Sequence, residues 1–246
     1  MDTLTNNLAN SDTVGFKKEG LTSQSFDSVF VDKIKDGSEA YHYGRRIGTA
    51  NPGVKIGESY VDWSEGAFEV TDNEVDFAIG GKGFFTIEFT NKAGETKTMY
   101  TRDGNFQVTT DGYLVTTDGD YVLGKGAGGQ GQRIKLDPTQ NFRVDTEGYI
   151  YQNDQVVGQM QLTDFADYNY LEHYGENYYY PVEGAELQDA TGAKIFQGYL
   201  ESSNVGIVSE MVEMISVSRQ YEANQKIIQT YDRSLEIAVT QLGRLS

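Results

Sequence analysis

Residues 100–123 read YTRDGNFQVTTDGYLVTTDGDYVL, and their rhythm decides the fold. The short runs 106–108, 113–115 and 121–123 are rich in Tyr, Phe and Val, residues that suit a pleated, half-buried surface. Asp111-Gly112 and Asp118-Gly119 separate them. Asp-Gly pairs supply the positive backbone dihedrals of tight hairpin turns. The run from Phe142 through Gly148 to Tyr151 repeats the same strand-turn-strand pattern, and only Pro52, Pro138 and Pro181 interrupt the chain. Residues of about 50–200 therefore form antiparallel β structure built from short strands.

Outside this centre the sequence changes character. From Val205 to Ser246 there is no proline, and glycine occurs only at Gly206 and Gly243. Counting by sevens from Ile207 gives Met214, Tyr221, Ile228, Leu235 and Leu242, all apolar. Three residues further on stand Glu210, Val217, Asn224, Tyr231, Ala238 and Leu245. Such a seam predicts a long helix that packs along another helix, with Ser203 or Asn204 available to cap its start. At the other end, Leu4 and Leu8 stand one helical turn apart. The chain thus opens in the last turns of a helix whose beginning is expected upstream of Met1. Phe26, Val29, Phe30 and Ile34 are spaced like a short amphipathic element or a strand that flips sides.

The expected fold is mainly β with terminal α-helices, an antiparallel β domain inserted between them. The expected divisions are 1–64 (helix end and connecting segment), 65–200 (β domain) and 201–246 (coiled-coil helix).

Charge follows the same division. Of a net charge of −17, residues 50–204 carry 25 acidic against 10 basic side chains, and each end is nearly neutral. The middle is unsuited to nucleic acid or anionic lipid, while the ends can approach other copies without strong repulsion. Cysteine is absent, which removes disulfides and thiol chemistry. No apolar run is long enough to span a membrane.

Four motifs, in order, resemble those of flagellar basal-body rod and hook proteins. Asn7-Leu8-Ala9-Asn10 with Thr13-Val-Gly15-Phe16-Lys17 is similar to the N-terminal signature. The central strands of the family are matched by 76–85, Tyr100 to Phe106 and 156–165. The C-terminal signature is matched by Gly198 through Glu201 to Asn204-Val205, then by Glu210-Met-Val through Arg219 to Glu222-Ala223-Asn224. The resemblance implies a structural part of the flagellar axle in the basal body, exported unfolded by the flagellar type III apparatus. It implies a homo-oligomeric helical assembly with both terminal helices in an inner tube, and other rod and hook proteins as partners. Chain length favours a rod protein over the larger hook protein.

Enzymatic chemistry finds little support in the residues, and no cofactor or metal is expected. Gly124-Lys-Gly126-Ala-Gly-Gly129 fits a dinucleotide fingerprint literally, but Pro138 follows where a helix should begin. His42 and His173 are far apart in the sequence, whereas a metal needs convergent donors. Asp118 and Asp120 lack the closing Glu of a calcium loop. Tyr178, Tyr179 and Tyr180 could form a sugar-stacking platform, the basis of an alternative function as a secreted domain that binds or cleaves polysaccharide. Alternating tyrosines in a strand more often pack one face.

Overall fold

The computed structural model describes residues 1–33, 45–91, 94–126, 131–175 and 177–242. The fold is mainly β, with a short helix, α1 (Asp2–Ala9), at one end and a long one, α2 (Ile207–Leu242), at the other. The chain divides into two compact units, Met1–Lys18 with Trp63–Ser246 and Glu19–Asp62.

The larger unit is organised by a ten-stranded sheet, antiparallel at its described pairings. Its main path runs through Leu171–Tyr174, Tyr178–Pro181, Thr96–Thr101, Phe84–Thr90, Tyr121–Lys125, Leu114–Thr116 and Phe106–Val108. The two Asp-Gly turns of the opening stretch share one geometry. Gly112 N–H donates to Thr109 O at 2.9 Å and Gly119 N–H to Thr116 O at 3.0 Å. Their φ values of +85° and +95° lie where only glycine is unstrained.

Period-two patterning buries both faces of the sheet. Phe85, Ile87 and Met99 join a cluster with Phe77, Phe106 and Ile150. Their neighbours Phe84 and Tyr100 point the other way, into a cluster with Phe165, Leu171 and Tyr179. The same alternation sends Tyr179 into the second cluster, and Tyr178 packs against the first. Tyr178 and Tyr179 are therefore packing residues rather than a stacking platform.

The smaller unit has two antiparallel pairings, Glu19–Ser25 with Val54–Val61 and Val29–Lys33 with Arg45–Ala50. Phe26 and Val29 to Val31 are exposed there. Of the two readings of this segment, the strand holds over Val29–Lys33, and Ile34 lies outside the described residues.

Candidate functional site

The terminal helices meet at a polar contact. α1 packs on α2, with Leu4 and Leu8 half-buried and Asn7 fully buried between them. Asn7 Nδ2 donates to Glu210 Oε2 at 3.3 Å, and Lys18 Nζ lies 2.5 Å from Glu210 Oε1. Glu210, the first polar exception in the heptad seam, is thus the residue that receives the N-terminal segment. Beyond it, the described side chains of α2 that escape full exposure are Met214, Val217 and Ser218. Together with Glu210 they lie on one helical face.

The remaining seam is open. Tyr221, Ile228 and Leu235 are 73%, 61% and 64% exposed, and Ile207, Tyr231 and Ala238 are also exposed. Leu242 ends the helix, and Leu245 lies outside the described residues. Glu222, Ala223 and Asn224 are exposed on the same stretch of helix. Ala9 is exposed, whereas Asn10 folds back on α1, donating from Nδ2 to Asn6 O at 3.0 Å.

The segment after α1 runs deep against the sheet. Gly15 has φ +71°, and a Cβ there would stand 2.6 Å from the backbone of Arg102 and Asp103. Its N–H donates to Glu201 O at 2.8 Å. Phe16 is buried edge-on to His173, their ring centroids 6.4 Å apart. Lys17 Nζ lies 2.5 Å from Glu201 Oε1 and 2.8 Å from Ser64 O. The other carboxylate oxygen of Glu201 takes Arg102 NH1 at 3.2 Å, and Gly66 N–H reaches Oε1 at 3.0 Å. All three charged side chains are at most 4% exposed. Burial holds the Lys17 ammonium below the ordinary lysine value, against the pull of Glu201.

The start of α2 corrects one expectation. Glu210 N–H donates to Gly206 O at 3.0 Å, which puts Gly206 at the N-cap. Asn204 Oδ1 instead accepts Lys18 N–H at 2.7 Å, and Ser203 Oγ accepts Val205 N–H at 3.3 Å. Neither residue caps the helix, since both are engaged in the buried turn before it. Val205 is buried in that turn. Sequence reasoning placed Gly15, Phe16 and Asn204 in signatures but did not foresee the charged centre they surround. The available signal was a charged residue inside three of those motifs: Lys17, Arg102 and Glu201.

The other candidates do not converge. His42 lies outside the described residues, and His173 packs between Phe16 and Tyr179. Gly124 and Lys125 belong to a strand and pair with Gln132 and Gly131, while 127–129 of the glycine-rich run lie outside the described residues. A cleft of about 420 Å³ is lined by Phe89, Asp103, Asp118, Tyr174 and Tyr178. Tyr178 Oη there lies 3.1 Å from Asp118 and 3.3 Å from Asp120. Burial pushes the Tyr178 hydroxyl and the Asp103 and Asp120 carboxyls up. Among the described residues no group of three or more His, Cys, Asp or Glu could hold a metal, and no helix is long and apolar enough to cross a membrane.

Known protein families match the sequence in three segments. Residues 1–17 match the family profile for flagella basal body rod protein. Residues 78–152 match that for the flagellar hook protein FlgE/F/G D1 domain, and 197–242 that for the flagellar basal body rod FlgEFG protein C-terminal region. The chain is 34% identical over 251 residues to the flagellar basal-body rod protein FlgG of Caulobacter vibrioides, covering 98% of this chain and 93% of that protein. Identity to FlgG of Bacillus subtilis is 35% over 256 residues, covering 96% and 90%. Identity to the rod protein FlgF of Caulobacter vibrioides is 32% over 247 residues, covering 100% and 93%. The matched segments contain the α1–α2 contact and the buried centre around Glu201, and the chain belongs to the flagellar basal-body rod protein family.

Proposed function

We propose that this chain is a structural subunit of the flagellar basal-body rod that assembles with copies of itself through its terminal helices. One observation carries the reading: α2 keeps its apolar seam open from Tyr221 to Leu235. Fully burying such a side chain is worth about 1.5–3 kcal/mol, so several together suffice to drive association. Other rod and hook proteins and the flagellar export apparatus are the further partners that family membership supports. No catalysis is asked of the chain, and its site in the cell is the flagellar basal body.

Sedimentation over a range of concentrations tests this. The wild type should associate, and Ile228→Asp/Leu235→Asp should remain monomeric with the melting of the sheet unchanged. Equal association of the double variant would overturn the assignment of the seam.

A further inference from the structure

We propose that the adjacent lysines Lys17 and Lys18 form a two-headed clamp that fixes the direction in which α2 leaves the β structure. Successive side chains of an extended segment point to opposite sides. Here one lysine turns inward to Glu201, the last residue of strand Tyr199–Glu201, and its neighbour turns to Glu210 in the first turn of α2. The two carboxylates bracket the whole transition from strand to helix.

The two heads differ in kind. The inner one is anchored by more than Lys17. Arg102 is held by the carbonyls of Gly81 at 2.7 Å and Ile79 at 3.3 Å, and it presents NH1 to Glu201. Lys17 adds a second cation to that one carboxylate, so the N-terminal segment is seated by a charge that Arg102 also holds. The outer head is Lys18, 34% exposed, on a carboxylate that is itself wholly buried. A buried carboxylate that loses its cation is driven towards water, and Glu210 cannot move outward without tilting the first turn of α2.

Between the two heads the connecting turn is tied to the segment 64–67. Ser202 N–H donates to Ala67 O at 2.8 Å, and Asn204 Nδ2 donates to Ser64 O at 3.2 Å. Gly66 lets the two segments come this close, since a Cβ there would stand 1.8 Å from Ser202 O. On the helix side the fastening is Glu210, held by Lys18 and by Asn7.

The chain lacks cysteine, so Thr98→Cys and Glu236→Cys, both at exposed positions, place two spin labels on the sheet and on α2. The distance between them is measured in dilute full-length protein by pulsed electron resonance. The wild type should give a narrow distribution and Lys18→Met a broad one, with sheet melting unchanged. Lys18→Met/Glu210→Gln, in which no charge is stranded, should return it to a narrow one. A distribution in Lys18→Met as narrow as in the wild type overturns the clamp. So does breadth that the double variant fails to reverse, which would make lost side-chain packing the cause. Glu201→Gln should also broaden the distribution and expose residues 15–18 to amide exchange; unchanged protection there removes the inner head. These measurements are made on monomers, so their failure leaves the assembly reading untouched.

Discussion

Asn7 Nδ2 donates to Glu210 Oε2 across 3.3 Å, joining residues 203 positions apart in the chain. This amide is the buried polar group of α1, and its partner is the buried polar group of the α2 seam. Removing a hydrogen bond to a buried charged group costs about 1.5–3 kcal/mol. Asn7→Ala should therefore loosen α1 and the first turns of α2, seen as faster amide exchange there, with the strands of the sheet unaffected. Asn7→Asp should be worse than Ala, because it sets a second carboxylate against Glu210. Equal protection in all three proteins would show that the contact carries no weight.

The same pair marks where the sequence was legible and where it was not. Hairpins at Asp111-Gly112 and Asp118-Gly119 and the long C-terminal helix are local patterns, written in period and turn chemistry. The heptad count marked Glu210 as an exception without saying why, because its partners, Asn7 and Lys18, lie at the other end of the chain. Arg102 and Glu201 were hidden for the same reason: an ion cluster from distant segments has no spacing. Ser203 and Asn204 looked like helix caps by residue type, and it was the competing demand of Lys18 N–H that drew Asn204 away.

Gly15 and Gly158 make a matched test of backbone closeness. A Cβ on Gly15 would lie 2.6 Å from the backbone of Arg102, at a φ of +71°. The left-handed region alone costs an alanine about 1–2 kcal/mol, and the clash adds to it. Gly158 meets nothing within 4 Å and has no positive φ. Gly15→Ala should lower the melting temperature by several degrees, and Gly158→Ala should leave it unchanged or slightly raised. A Gly15→Ala protein as stable as the wild type would mean that the segment after α1 is not seated against the sheet.

Asp103 gives a pH dependence of defined sign. Burial raises its carboxyl above the ordinary value, although it accepts Asn105 N–H at 2.9 Å and Asn177 Nδ2 at 3.2 Å. A folded-state value above the unfolded one means that the native state binds the proton more tightly. Stability from this group is then greatest at low pH and falls as pH rises from the ordinary carboxylate value, about 3.9, through the raised one. Asp103→Asn removes the charge. Asn177 can turn its amide so that Oδ1, which has no partner among the described residues, accepts from the new one. The variant should melt above the wild type at pH 7, with the gap closing towards pH 4. A gap independent of pH would assign the effect to packing.

One chemical change placed at two heptad positions separates the helix face that is packed within the chain from the face proposed for contact with other copies. Val217 is half-buried on the face that carries Glu210, and Leu235 is 64% exposed some eighteen residues further along. An aspartate at position 217 sets a charge on that half-buried face, where an unpaired charge is unfavourable. An aspartate at 235 stays in water, and exposed substitutions of this kind change stability by no more than about 0.5 kcal/mol. In dilute protein, Val217→Asp should therefore abolish the amide protection of α1, and Leu235→Asp should leave it as in the wild type. At high concentration the order should reverse in meaning: Leu235→Asp, stable as a monomer, should fail to associate. If Leu235→Asp instead weakens the monomer as much as Val217→Asp does, the far end of α2 is packed within its own subunit, and the seam is not a surface for copies at all.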